Sequence, residues 1–329
     1  MAEIRSATRL IEGISKKKIK YKQCNKNNKV YIPRGKYDAV VMTKNLTHID
    51  YLEELVKAGY NVLCEKPLVI VTDKYHKADS SQLKRLEKLV ENGKDLVLMD
   101  AEHYSAKKAT VTFYERIGEM VADYGRIEKI DACTLEKDDP GKIRTKKLLC
   151  RENRTGLLLD MGVHLFGIIS NISGEIGNIN DAKYGIYPGN KTHNDHDPIP
   201  AYDVETYVDT KFKVKGSLFH DNAKANFKFI KFIHRLKKPI KEDKKEFKVT
   251  FRKGNKRTTV TLDFNKGTVI DTAGKKWRPY SKVPPNEYSY ILRHFYDAII
   301  NKEEPRTSFR RSLKNLYAIY NIYKKFPVE

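Results

Sequence analysis

An α/β protein with two unlike halves is what this sequence predicts, and three observations carry that reading. Short apolar runs beginning at Ala39, Asn61 and Leu96 alternate with amphipathic helical stretches over residues 37–104. Beyond residue 104 the pattern changes, and several segments place core-type residues at every second position. Hydrophobic residues make up 40% and aromatics 10% of 329 residues, which suits two packed units and argues against disorder.

The elements follow in order. Residues 1–36 carry a weak helical stretch from Ile4 to Ile14 and a strand-like Lys18–Lys22. Ala39-Val-Val-Met is short and wholly apolar, as befits a parallel strand covered on both faces. The turn Thr43-Lys-Asn-Leu-Thr leads into a helix in which Ile49, Leu52, Leu55 and Val56 share a face, with Asn45 or Thr47 as the N-cap and Gly59 as the stop. Asn61-Val-Leu-Cys is the next strand and ends in Glu65-Lys66-Pro67. A second helix carries Leu83, Leu86, Leu89 and Val90, and Leu96-Val-Leu-Met is the third strand. Strands and helices alternating over short links imply parallel strands with right-handed crossovers, and ligands then sit beyond the strands' carboxyl ends. Thr43–His48, Glu65–Pro67 and Asp100–Tyr104 therefore share one rim.

A helix from Ala106 to Val121 and a strand from Arg126 to Glu136 follow. The two-residue period then runs through Val208–Val214, Phe247–Phe251 and Val260–Phe264, which predicts an antiparallel sheet with one wet face. Tyr184–Pro200 reads as a loop, and helices close the chain at Tyr288–Ile300 and Leu313–Tyr323. The expected division is a Rossmann-like dinucleotide-binding unit over residues 1–104, incomplete at its start, and an α+β unit with a large, mainly antiparallel sheet over residues 105–329. The C-terminal helices are expected to pack back on the first unit.

The formal net charge is +22. Its lysines are spread along the whole chain, without zinc-finger spacing, a basic zipper or an aromatic RNA-reading motif, so a solvated surface is the preferred reading over a nucleic-acid partner. An anionic small substrate also fits the charge. No apolar run reaches the roughly 20 residues needed to span a bilayer, and no membrane partner is expected. The start Met1-Ala-Glu-Ile-Arg has no signal-like pattern, and four scattered cysteines without a CxxC pair read as reduced thiols, which points to the cytoplasm. His193, Asp195, His196 and Asp197 are too loosely spaced for a metal site, and no metal is expected.

Three segments resemble the glucose–fructose oxidoreductase and inositol 2-dehydrogenase family. Asp38-Ala-Val-Val-Met-Thr-Lys-Asn-Leu-Thr-His48 is similar to its strand and turn "DAVxIATPNxxH". Gly59-Tyr-Asn-Val-Leu-Cys-Glu-Lys-Pro-Leu68 is similar to "GkhVlcEKPl", and Gly156-Leu-Leu-Leu-Asp-Met-Gly-Val-His-Leu165 to "GGxLxDxGxHxxD". The resemblance implies NAD or NADP in the first unit, with Thr43, Asn45, His48, Glu65 and Lys66 around it. It also implies a sugar-like or polyol substrate against the second unit's sheet, and a homo-oligomer formed through that sheet. Lys66, Asp160 and His164 are the implied catalytic set. The chemistry agrees, since hydride exchange at a carbinol needs a proton carrier and a cation beside the reacting oxygen. On a helix, Asp160 and His164 at four-residue spacing would share a face.

The sequence departs from this pattern in three places. No GxGxxG turn precedes Asp38, so the first nucleotide-binding unit is expected to be missing or rebuilt. Lys44 stands where the pattern has proline, and Gly167 where it has an acid. These departures keep two alternatives open, a catalytically impaired binding or oligomerisation subunit and a basic nucleic-acid-binding protein.

Overall fold

A computed structural model describes residues 39–42, 48–73, 75–136, 156–172, 174–186, 204–231, 243–283 and 286–326. The readings made for residues 1–38, Thr43, Asn45 and the His193–Asp197 loop lie outside the described residues.

Three strands form a parallel sheet in the order β1 (Ala39–Met42), β2 (Asn61–Cys64), β3 (Leu98–Asp100). Val62, Leu63 and Cys64 are buried, so β2 is apolar beyond Asn61 because both of its faces are covered there. Helix α1 (His48–Lys57) connects β1 to β2, and α2 (Ser81–Asn92) connects β2 to β3. Gly59 ends α1 at φ +79°, a conformation that favours glycine. The sequence pattern starts the third strand at Leu96, but the observed β3 starts at Leu98. Leu96 N–H donates to the Gly93 carbonyl and Val97 N–H to Asn61 Oδ1, so both are used in the turn.

The second sheet has eight strands, in the order β11-β10-β9-β8-β4-β7-β6-β5. They are β4 (Arg126–Glu136), β5 (Glu175–Ile186), β6 (Glu205–Lys215), β7 (Phe219–Lys231), β8 (Lys244–Lys253), β9 (Lys256–Asp263), β10 (Thr268–Asp271) and β11 (Lys276–Trp277). Neighbours are antiparallel except β4 and β7, which run parallel at the centre. Period-two alternation fixes which face each residue takes but not its neighbour, so this pairing was not legible beforehand. Helices α3 (Lys108–Tyr124) and α4 (Val163–Asn171) cover one face. Phe113 of α3 lies 6.5 Å from Phe247, and Phe166 of α4 lies 5.2 Å from Phe212 and 5.0 Å from Phe227, ring centre to ring centre. Burying such large rings contributes substantial apolar contact area on this face.

The C-terminal helices α5 (Glu287–Asn301) and α6 (Phe309–Tyr323) return to the parallel sheet. Residues 307–308 lie along the outer edge of β3: Asp100 N–H donates to the Thr307 carbonyl, Thr307 Oγ1 to the Asp100 carbonyl, and Met99 bridges Ser308. That covers an edge which would otherwise expose unpaired backbone groups. Among the described residues, no helix is long and apolar enough to cross a membrane.

Gly125 joins α3 to β4 at φ +86° and ψ −164°, a region almost confined to glycine, and a Cβ there would overlap the Arg252 carbonyl. Gly118, on the same helix, has open space around its Cβ position. Gly125→Ala is expected to destabilise by about 3 kcal/mol or more, and Gly118→Ala to stabilise by up to about 1 kcal/mol. Thermal melts of the two variants should therefore shift in opposite directions.

Candidate active site

The carboxyl ends of β2 and β3 and the first turn of α1 form one rim, and the helical segment that begins at Leu157 faces it. Lys66 lies two residues past the end of β2. Its Nζ donates to Asp160 Oδ1 at 2.6 Å and to the Asp160 carbonyl at 2.8 Å, across 94 residues of sequence. The two side chains are 14% and 16% exposed, so the ammonium is held from one side and still reachable from the crevice. Lys66–Pro67 is a cis peptide bond.

Asp160 sits in a wider π-type turn, Leu158–Gly162, that runs into α4. The expectation of a shared face with His164 assumed 3.6 residues per turn; the π turn takes more, which rotates Asp160 away from that register. Asp160 meets Lys66, while His164 is 1% exposed and its Nδ1 meets Glu102 Oε1. The start of this segment is anchored by buried Glu205 on β6, which accepts from Leu158 N–H at 2.9 Å and from the Tyr323 hydroxyl at 2.6 Å and pairs with His76.

The residues after β3 complete the site. Tyr104 stacks on His164 at 4.6 Å, and the half-buried His103 lies edge-on to it at 4.3 Å. Both residues lie in the rim segment Asp100–Tyr104, and both rings rest on His164. Glu65 receives the Tyr288 hydroxyl of α5 on Oε1 and the Lys66 amide on Oε2. Glu102 and Tyr288 were not singled out from sequence, because a lone Glu and a lone Tyr in ordinary contexts carry no signal until the fold brings their partners.

Burial dominates the electrostatics. It pushes Asp100 up to about 7 and Glu102 up to about 8. It holds His103 down at about 3, with Lys66 adding to the effect, and His164 well below its ordinary value. The buried Glu102–His164 pair is thus favoured as a carboxyl group and a neutral ring with one proton between them. Burial also raises the carboxyl of Glu65 and lowers His48.

The rim also carries hydrogen-bonding groups that a polar ligand could engage. His48 Nδ1 lies 2.9 Å from the Pro67 carbonyl, so Nδ1 carries the proton and Nε2 is left as an acceptor. That Nε2 is buried and has no partner among the described residues. With Glu65, Lys66 and the Tyr288 hydroxyl, it gives a donor and acceptor set that hydroxyl and carboxamide groups can satisfy. Among the described residues no cluster suits a metal ion.

No family model matches this chain, and no curated protein matches its sequence. Solved structures do match it. Levoglucosan dehydrogenase in complex with NADH and levoglucosan is 16% identical, with a TM-score of 0.64, over 87% of this chain and 76% of that one. Aldose-aldose oxidoreductase from Caulobacter crescentus is 17% identical, with a TM-score of 0.61 and the same coverage. UDP-N-acetylglucosamine 3-dehydrogenase from Acidithiobacillus ferrooxidans is 15% identical, with a TM-score of 0.59, over 86% and 76%. At these identities the likeness is one of fold: a Rossmann-like parallel sheet joined to a large mixed sheet.

The raised carboxyl of Glu102 has a consequence for stability. In the unfolded chain it ionises near its ordinary 4.5, and in the folded protein near about 8. Between pH 6.5 and 8 the folded state therefore holds a proton that the unfolded chain has released, so stability falls as pH rises. His48, His103 and His164, all lowered below 6.5, are neutral in the folded protein but still partly charged in the unfolded chain near pH 6.5, so they oppose the decline at the lower end of the window and cease to matter by about pH 7.5. Asp100 adds to the decline at the lower end of the window and stops once pH passes its own value of about 7. Unfolding free energy should drop by on the order of 1 kcal/mol over this window in the wild type and by clearly less in Glu102→Gln. Equal slopes would assign the proton to another group.

Proposed function

We propose that this chain is an NAD(P)-dependent oxidoreductase that interconverts a hydroxyl and a carbonyl on a sugar, polyol or related compound. The observation that carries this reading is the Lys66 ammonium, held by two oxygens of Asp160 at the carboxyl rim of the parallel sheet. Local folding does not oblige residues 94 positions apart to meet at that rim. The fold neighbours support it, since their names describe dehydrogenases and oxidoreductases of sugars and one is a complex with NADH.

The roles follow from the geometry. Lys66 Nζ, with a proton free of Asp160, holds the reacting oxygen of the substrate and stabilises the negative charge that develops on it. Asp160 keeps that ammonium aimed. His164 carries the proton that the oxygen gains or loses, and its burial excludes competing water. His48, Glu65 and Lys66 would line the sugar and nicotinamide end of the cofactor, which supplies the hydride acceptor or donor when bound. The net charge of +22 favours an anionic substrate such as a phosphorylated or carboxylated sugar.

The test is a panel of sugars, polyols and their acids, assayed with NAD⁺ and with NADP⁺ by nicotinamide fluorescence. With any substrate that the wild type oxidises, Lys66→Met should lower kcat by on the order of 10²-fold or more. Its circular dichroism spectrum should stay unchanged. An unaltered rate in Lys66→Met would remove this residue from the mechanism, and no turnover across the panel would count against the oxidoreductase reading.

A further inference from the structure

The segment Gly156–Leu165 resembles a pattern that continues with an acid three residues after its histidine, and this chain has Gly167 there. Gly167 lies within α4 and takes no left-handed conformation, so no backbone demand explains it. A glycine inside a helix costs roughly 1 kcal/mol relative to alanine. What occupies the space above it is the side chain of Glu102: a Cβ at residue 167 would lie 3.5 Å from Glu102 Oε2 and 3.8 Å from its carboxyl carbon.

That carboxyl is aimed by its own turn. Oε1 accepts from Tyr104 N–H and Oε2 from Ser105 N–H, each at 2.8 Å, while Ser105 Oγ donates to the Glu102 carbonyl at 2.7 Å. The residue is 3% exposed, and its Oε1 meets His164 Nδ1. Tyr104 stacked on one side and His103 edge-on leave the imidazole little freedom to turn.

We propose that Glu102 is the positioning residue of His164, and that the carboxyl expected on the helix at position 167 is supplied instead from the turn after β3. By engaging Nδ1 it fixes the ring's orientation and leaves Nε2 as the nitrogen that faces the chemistry. The glycine is the other half of the arrangement: a Cβ there would only touch the Glu102 carboxyl at ordinary contact distance, but the longer side chain of an acid would compete with it for one space. The consequence for turnover rests on the oxidoreductase reading; the pairing itself does not.

The test uses full-length protein labelled with ¹⁵N-histidine. In the wild type, the proton between Glu102 and His164 should give a low-field imidazole resonance and a single ring state. Glu102→Gln should abolish that resonance. The double variant Glu102→Ala/Gly167→Asp should restore it, since residues three apart on a helix are neighbours and a small cavity bordered by Asp100, Val163, Gly167 and Asn315 adjoins the position. Glu102→Asp, which keeps the carboxyl on its own turn, is the second arm should the double variant fail to fold, and it should retain part of the signal. With a substrate that the wild type turns over, Glu102→Gln should lower kcat by on the order of 10²-fold, with KM changed by less than about threefold, and the carboxyl-bearing variants should recover part of the loss. Persistence of the resonance in Glu102→Gln, or its loss in both carboxyl-bearing variants, would overturn the proposal. A wild type that shows the resonance but turns over nothing would defeat the oxidoreductase reading and leave the pairing standing.

Discussion

The Lys66 ammonium, gripped by the side chain and the backbone carbonyl of Asp160, is the contact on which the arrangement of the site depends. Removing a lysine and an aspartate from water costs several kcal/mol per ion unless close opposite charge and hydrogen bonds replace the lost hydration. Here both charges keep partial exposure and the distances are short, so the pair holds without being sealed. It also joins two segments with different origins, the loop after β2 of the parallel sheet and the π turn before α4, which lies on the large sheet. A shift of either would separate them, and the position of the helix therefore matters as much as the identity of the residues.

That position is enforced from behind. Glu205 on β6 accepts the Leu158 amide at the start of the segment, and the side chains of His76 and Tyr323 complete its partners. His76 adopts a left-handed backbone at φ +62°, uncommon for a residue other than glycine and costing about 1–3 kcal/mol. Gly156 belongs to the same arrangement, since a Cβ there would collide with the Glu205 carboxyl. Three elements far apart in sequence thus converge on one buried carboxylate whose effect is to fix where the segment bearing Asp160 begins. Sites held by such supporting contacts need little reorganisation when charge develops.

Much of this could be read from the sequence, and what could not has a physical reason. The parallel strands were legible because strands buried on both faces are uninterrupted apolar runs, and the rim followed from their direction. Lys66 and Asp160 were legible through their motifs. The lysine content was also legible in part: on β6, Lys211, Lys213 and Lys215 are exposed while Phe212 and Val214 between them are buried, the wet face that the two-residue period implies. By contrast, β5 contains Gly177, Asn178, Asn180 and Asp181, and as an edge strand with register shifts it needs little apolar content to form. The π turn was hidden because Leu158–Gly162 fits an α-helical pattern equally well. Glu102 was hidden because a carboxylate 62 residues from its histidine leaves no local spacing to find.

The departure at Gly167 shows how a missing motif residue should be weighed. Taken alone, losing an acid three positions after His164 argues for a decayed site. The structure changes that argument, because the function of a carboxylate beside an imidazole is defined by its distance and direction, not by the element that bears it. Glu102 arrives from another strand end, is held by two backbone amides and packs against the face of the helix that Gly167 leaves bare. A drifting site would more readily leave the histidine unpartnered and the glycine beside empty space. Relocation also alters the environment, since burial beside Asp100 keeps this carboxyl protonated to a higher pH than an exposed one would be. The pair then sits at neutral pH with its proton already in place, a state suited to giving a proton to an oxygen as hydride arrives on the adjoining carbon.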